Sequence, residues 1–172
     1  TATGGGAQAT ADAASAYGNA SNASKVNATA VGSASVASGV ASSAFGAYAE
    51  AKGTLSTAIG GGSSFAVLQA DGSYANGGAV AAGDRSSALG VESEARGTSS
   101  TAVGDSAIAV GSQSTALGFN SKANGTASTA LGSNSFVGVG AGDAIAMGSA
   151  ARVEAGSTNG VAIGNGAVVL SG

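Results

Sequence analysis

Few residues in this chain of 172 could do chemistry, and their types limit what that chemistry can be. Nine carboxylates and six basic residues are present, but histidine and cysteine are absent, so the commonest general base and the thiolate nucleophile are both missing. Serine and threonine are abundant, yet they recur periodically, as strand and turn residues do. We therefore predict no catalytic residues and no enzymatic activity.

Metal and cofactor sites have equally weak candidates. Glycine-rich calcium solenoids repeat every nine residues with an aspartate in each turn. The aspartates of this chain follow no such period and stand at Asp12, Asp71, Asp84, Asp105 and Asp143. The glycine string at 138–142 resembles a phosphate loop, but the pattern predicts no helix after it to bind an anion. We predict no metal ligands and no cofactor.

The overall charge and hydropathy exclude two kinds of partner. A net charge of −3 with scattered basic residues gives no footprint for nucleic acid. No apolar run approaches the roughly 18 residues of a spanning helix, so we expect no direct membrane insertion. The chain begins Thr1-Ala2-Thr3, without an initiator methionine or a signal segment, and we interpret it as a fragment of a longer protein.

A five-residue figure that ends in alanine, a large apolar residue and glycine occurs ten times, for example from Ser128 to Gly132. The step between copies is 14 residues, stretched twice to 16 and once to 30. A period this regular predicts a repeat architecture. The large residues are Tyr17, Val31, Phe45, Ile59, Leu89, Val103, Leu117, Leu131, Met147 and Ile163.

The fifty positions of these ten copies contain no charged residue. A strand without a charged face is normally buried on both sides. One side can face the interior of the chain's own fold, but the other side needs a partner surface. We therefore predict that the ten large residues lie on a core strand that is also an oligomer interface.

Each repeat also contains a second strand, in which small residues alternate with polar ones. Glu50 and Lys52, or Glu94 and Arg96, take the outward positions. The two strands and two turns of each unit predict a two-sheet parallel β-solenoid of 14-residue coils. Glycines between the strands need positive φ or close backbone approach, and they include Gly39, Gly53, Gly97, Gly111 and Gly125.

The step of 30 residues contains an insertion at about 61–78. Two short β-like arms flank Asp71-Gly72, a dipeptide favoured in tight hairpin turns, so we predict a hairpin-like insertion. A degenerate coil is the alternative. Phe65, Asp71 and Tyr74 are our candidates for a chain-specific ligand contact.

Two surface features leave alternatives open. The first is a hydroxyl row, which could form an array as in ice-binding solenoids, although its position in the uncharged strand argues against this. The second is a set of outward apolar residues, which are either intersubunit contacts, our preference, or parts of a ligand surface. The row consists of Thr29, Thr57, Thr101, Thr115 and Thr129, and the set of Val36, Ile108, Val110 and Phe136.

The repeat resembles the YadA-like head domain of trimeric autotransporter adhesins. That family's motif, Asn-Ser-Val-Ala-Ile-Gly followed by Ser/Ala-x-Ala-x-Gly, is nearly reproduced from Asn159 to Gly164. Weaker copies include the segment from Ser114 to Gly118, which is followed by a segment from Ser121 to Gly125. Two departures are the frequent Thr or Ser in place of the motif's Val, and the insertion.

The resemblance implies a single YadA-like head domain over residues 1–172, folded as a left-handed parallel β-roll in a side-by-side homotrimer. It implies a location at the tip of a fibre anchored in a bacterial outer membrane. The implied function is adhesion to host cells or matrix proteins of the collagen, fibronectin and laminin class. The alternative function is a structural spacer head without its own ligand, and a remote one is ice binding.

Overall fold

The computed structural model describes residues 1–62, 67–68, 74–75 and 77–171. Within these residues the chain forms 24 short strands joined by turns, and no helix. Two sheets of eleven strands each contain only parallel neighbours. The chain is a parallel β-solenoid of about 11 turns, which confirms the predicted all-β, two-sheet fold.

The strands are β1 (Ala2–Thr3), β2 (Gln8–Ala9), β3 (Ser15–Tyr17), β4 (Asn22–Ala23), β5 (Thr29–Val31), β6 (Val36–Ala37), β7 (Ser43–Phe45), β8 (Glu50–Ala51), β9 (Thr57–Ile59), β10 (Val67–Leu68), β11 (Tyr74–Ala75), β12 (Val80–Ala81), β13 (Ser87–Leu89), β14 (Glu94–Ala95), β15 (Thr101–Val103), β16 (Ile108–Ala109), β17 (Thr115–Leu117), β18 (Lys122–Ala123), β19 (Thr129–Leu131), β20 (Phe136–Val137), β21 (Ile145–Met147), β22 (Arg152–Val153), β23 (Val161–Ile163) and β24 (Val168–Val169). Sheet 1 has the order β1-β3-β5-β7-β9-β13-β15-β17-β19-β21-β23, and sheet 2 has the order β2-β4-β6-β8-β12-β14-β16-β18-β20-β22-β24.

Strand register places equivalent residues of the sequence repeat beside one another. Ala16 pairs with Ala30, and the same alignment holds across the insertion, where Ala58 pairs with Ala88. Sheet 1 has one strand more than the ten copies of the figure, because Ala2–Thr3 pairs with β3 ahead of the first full copy. The long steps therefore leave the ladders of both sheets unbroken.

The core between the two sheets is built from very small side chains. Alanines of both sheets, such as Ala30 and Ala37, have no exposed surface. Val137 and Val153 are the largest fully buried side chains among the described residues. With so little side-chain volume the two backbone layers lie close together, so added atoms have little space.

Serines take the remaining inward positions, at the points where turns enter strands. Ser35 and Ser114 are fully buried, and their hydroxyls donate to turn carbonyls three residues earlier, at 2.9 Å to Gly32 and 2.6 Å to Gly111. These bonds satisfy hydroxyls that would otherwise be buried without a partner. The periodic serines therefore have a structural role in the turns.

Replacing Ser114 by alanine should lower the free energy of unfolding by about 1 kcal/mol, because one buried hydrogen bond is lost. The smaller side chain fits, since Ala28 and Ala144 occupy equivalent turn positions in other coils. Ser100→Ala is the matched control, because the buried Ser100 hydroxyl has no hydrogen-bond partner among the described residues. Urea unfolding should show a smaller loss, or a gain, for Ser100→Ala. Equal losses would contradict the role given to the serine bond.

The turns explain the strong demand for glycine. The predicted turn glycines Gly39, Gly53, Gly97, Gly111 and Gly125 do not have positive φ. A Cβ on any of them would fall closer than 3.0 Å to backbone of the adjacent coil. Of the two explanations that the sequence left open, close backbone approach is therefore the correct one.

Positive φ occurs elsewhere in the turns, both at glycines that end the five-residue figures, such as Gly18, and at many residues other than glycine. Ala20, Tyr48 and Leu55 have φ values of 53°, 60° and 57°. Each is the third residue of a four-residue turn, where type II turns favour glycine or asparagine. The sequence gives little sign of this strain, because these positions share no residue type.

The insertion contributes a separate pair of strands. β10 and β11 are antiparallel, with Val67 opposite Ala75 and Leu68 opposite Tyr74 in backbone register. Gly62 and Gly77 lie close together at its base, where a Cβ on Gly62 would overlap the Gly77 backbone. The insertion therefore leaves and re-enters the solenoid at nearly the same place.

Candidate functional site

The outer face of sheet 1 is the most distinctive surface of the molecule. Alanines at the centre of its strands point inward, so the residues on either side of each alanine point outward. The ten large apolar residues from Tyr17 to Ile163 form one outward column, in register from coil to coil. Tyr17 is 43% exposed, Leu117 is 41% exposed, and Ile163 is 66% exposed.

A second column lies beside the apolar one on the same face. It holds hydroxyl residues in most coils, among them Thr101, Thr115 and Thr129, which are half-buried, and ends in Ile145 and Val161. We call the two columns together the uncharged face. On each strand the hydroxyl residue stands two positions before a large side chain, and these large side chains differ in size, as Val31 and Phe45 do. The face is therefore not flat, as a regular hydroxyl array would be.

Eleven strands at about 4.8 Å spacing make this face about 48 Å long. Apolar residues exposed one at a time are normal on protein surfaces, but a continuous apolar column marks an interaction surface. The prediction that this strand is buried on both sides is thus met on one side only in a single chain. Its outward side remains open and uncharged along its length.

The outer face of sheet 2 has a different character, because a charged residue in a strand pairs with an opposite charge just beyond the end of that strand. Lys52 pairs with Glu50, and Arg96 pairs with Glu94 at 2.5 Å. Opposite charges on one side of a strand neutralise each other locally, so this face carries short neutral pairs. The Lys52–Glu50 pair is partly exposed, and salt bridges of this kind contribute little to stability.

A third pair stands near the end of the solenoid. Arg152 donates two hydrogen bonds to the Glu154 carboxylate, one of them at 3.2 Å from Nη2. These hydrogen bonds raise the pKa of Arg152 and lower the pKa of Glu154 from their ordinary values. Both groups therefore stay ionised at neutral pH.

Glu94 takes the outward position predicted from the sequence, but it is buried there. Only 4% of this residue is exposed, although it points to the outer face of sheet 2. In register it lies between Val80 and Ile108, and Arg96 pairs with its carboxylate. Burial comes from neighbouring coils, which the local sequence of Glu94 does not reveal.

The outward apolar residues predicted from the sequence lie on the sheet 2 side. Val36, Ile108 and Phe136 are half-buried in that face, whereas Val110 is 41% exposed. They belong to the surface opposite the uncharged face. The structure separates them from the ten large residues and gives the molecule two unlike outer faces.

The three predicted ligand residues belong to the insertion at 61–78. Phe65 and Asp71 lie outside the described residues. Tyr74 lies in β11, where its backbone is opposite Leu68. These residues remain predictions from the sequence.

Neither a metal-binding cluster nor a membrane-spanning helix is present in the described part of the chain. No group of three or more Asp or Glu residues there could hold a metal ion. Nor does the described structure contain a helix long and apolar enough to cross a membrane.

Comparison with known proteins agrees with this architecture. The family model described as "YadA head domain repeat (2 copies)" matches residues 23–49, 70–93, 81–107 and 109–135, just over half of the chain. No curated protein sequence matches the chain significantly. The fold and the family are those of an adhesin, and the chain belongs to the family of YadA head domain repeats.

One solved structure is similar over most of the chain. It is the crystal structure of the collagen-binding domain of the Yersinia adhesin YadA, with a TM-score of 0.62 and 27% sequence identity. The match covers 80% of this chain and 65% of that one. This chain therefore corresponds to somewhat less than two thirds of the YadA domain that it resembles.

Proposed function

We propose that this chain is the head of a trimeric cell-surface adhesin, in which three copies pack side by side through their uncharged faces. The observation that carries the proposal is the uncharged, partly apolar face along sheet 1. Further copies of the same chain are the partner that we propose for this face, because a surface without charges offers no electrostatic selectivity for a different protein. The proposal includes a left-handed roll of 14-residue coils, as the family resemblance implies.

The ligands that we propose are host matrix proteins of the collagen, fibronectin and laminin class. Support comes from the similarity to a collagen-binding domain. Sheet 2 would remain accessible in such a trimer and would present one copy of its outer face per chain. Three weak contacts on one rigid body gain affinity through effective concentration rather than through new interactions. The head would be carried at the tip of an outer-membrane-anchored fibre.

Solid-phase binding to immobilised collagen, fibronectin and laminin tests this function. The trimer should bind at least one of them, and a monomeric variant should bind much more weakly at the same chain concentration. Absence of binding to all three by a well-folded trimer would favour the alternative, a spacer head without its own ligand. A thermal-hysteresis measurement separately tests the remote ice-binding alternative, for which we expect no activity.

The insertion at 61–78 is proposed as a contact specific to this chain within its single head domain, with Phe65, Asp71 and Tyr74 as its ligand residues. Removal of residues 63–78 leaves Gly61 and Gly62 between Gly60 and Ala79, the two middle residues of an ordinary turn. The Ala79 amide already donates to the Gly60 carbonyl at 3.2 Å, so the turn can close without the insertion.

We expect this deletion to keep the circular dichroism and cooperative unfolding of the roll while lowering matrix-protein binding severalfold. Two point variants, Phe65→Ser and Tyr74→Ser, should each reproduce part of the loss. Unchanged binding by a folded deletion variant would remove the insertion from the ligand surface and leave the rest of the proposal intact.

A further inference from the structure

A depression on the sheet 2 side combines basic, amide and aromatic side chains. Lys122, Phe136 and Arg152 are in-register neighbours on three successive strands. Asn120 and Asn134 lie in the adjoining turns of two of these coils. The depression has a volume of about 260 Å³ and is lined by Asn120, Lys122, Asn134, Ser135, Phe136 and Arg152.

The charge of this depression is positive in a protein of net negative charge. Glu154 holds Arg152, and the resulting pair is neutral. Lys122 has no carboxylate within ion-pair distance among the described residues. Lys52 and Arg96 on the same face are both paired with glutamates. Lys122 therefore supplies a cationic group that the chain leaves available.

The two asparagines add hydrogen-bonding groups of both kinds. Asn120 Nδ2 donates to Asn134 Oδ1 at 2.9 Å, and Asn134 Nδ2 donates to Ser133 Oγ at 3.1 Å. An amide has two N–H donors and one accepting oxygen, so Asn120 keeps its oxygen as an acceptor and each amide keeps one N–H. The bond from Asn120 to Asn134 favours one orientation of the two side chains in the absence of a ligand.

Phe136 gives the depression an apolar wall. Its ring is half-buried, and the Arg152 guanidinium lies 4.4 Å from the ring centroid. This cation–π contact, together with the Glu154 hydrogen bonds, holds Arg152 in place on one side of the ring.

We propose that this depression binds one acidic sugar unit of a glycan. The sugar's carboxylate or sulfate would pair with Lys122, its hydroxyls would use the free groups of Asn120 and Asn134, and its C–H face would contact Phe136. The volume is slightly below the range of about 300–1,000 Å³ for drug-sized ligands, which suits one ring. The site is complete in one chain, so it does not depend on the proposed trimer or on matrix-protein binding.

The competing ligand is an acidic side chain of a peptide. The hydrogen-bonding groups that Asn120 and Asn134 leave free disfavour it. A carboxylate only accepts hydrogen bonds, so it would use Lys122 and leave the Asn120 oxygen unused. Sugar hydroxyls donate as well as accept, so they match the free donor and acceptor groups together. The presence of both kinds of group beside one unpaired cation favours the sugar.

The test titrates the whole chain with lactose, lactose 3′-sulfate and 3′-sialyllactose, and follows backbone amide shifts by NMR. We expect saturable shifts centred on Asn120, Lys122, Asn134 and Phe136 with the two acidic sugars and none with lactose. The stronger of the two identifies sulfate or carboxylate as the preferred group. Lys122→Gln should weaken acidic-sugar binding about tenfold, because a charged hydrogen bond is lost.

Lys25→Gln is the matched control, because it removes the same charge from an exposed turn away from the depression. It should leave sugar binding unchanged. The proposal is overturned if neither acidic sugar saturates, if lactose binds equally well, or if Lys122→Gln and Lys25→Gln behave alike. Tighter binding of an Asp-Gly-Glu peptide than of 3′-sialyllactose would also overturn it in favour of a peptide site.

Discussion

Gly111→Ala should destabilise the solenoid by about 3 kcal/mol or more, which is a large part of the stability of an ordinary domain. Gly111 lies at a turn where a Cβ would overlap the carbonyl group of Gly125 in the next coil. Backbone cannot move aside as a flexible side chain can, so the two coils would have to separate. This separation would weaken the hydrogen bonds of sheet 2, because the turn directly follows β16.

Gly142→Ala is the matched control for this variant. Neither glycine has positive φ, but a Cβ on Gly142 would lie 3.6 Å from the Thr126 carbonyl oxygen, which is an ordinary contact. Unfolding by urea at one fixed protein concentration should show Gly142→Ala unchanged or stabilised by about 0.5 kcal/mol. A Gly111→Ala variant as stable as Gly142→Ala would show that the coils do not stack as closely as described.

Leu117→Asp should convert the proposed trimer into monomers while the solenoid of each chain still forms. Leu117 is 41% exposed in a single chain, so the substitution leaves the alanine core untouched. In the trimer three aspartates would be brought close together on a face that carries no compensating charge. A buried charge without a partner costs about 3 kcal/mol or more, and each chain would contribute one.

Asn124→Asp introduces the same charge in the same coil, just beyond β18 on the sheet 2 side. Light scattering after size-exclusion chromatography should give the monomer mass for Leu117→Asp and the unmodified mass for Asn124→Asp. Loss of assembly in both variants would point to net charge rather than to the uncharged face. Persistence of the trimer in Leu117→Asp would move the interface elsewhere on the molecule.

The sequence alone was sufficient for the main architecture because its repeat is short and strict. The figure around Leu131 and the small residues around Ala123 each recur at one step, so stacking in register follows from the period itself. The two sheets could be derived in this way, but the side on which the large column lies could not, because the sequence indicated only that its strand needs a partner surface. Handedness and the number of chains came only from the family resemblance.

Features that depend on contacts between coils could not be derived. Glu94 is buried by residues of the coils on either side, and Phe136 acquires its cationic neighbours only through strand register. Positive φ falls on residues as different as Arg85 and Leu55, so no composition signal marks it. The depression near Lys122 was missed for the same reason, although Phe136 had already been noted as an outward apolar residue.

The central claim is that the uncharged face of sheet 1 is covered by two further copies of the same chain. Sedimentation equilibrium of the unmodified chain over a wide concentration range tests it most directly. The account predicts a single species of three times the chain mass, with dissociation only at high dilution. A folded species that keeps the mass of one chain at the highest concentrations would contradict it.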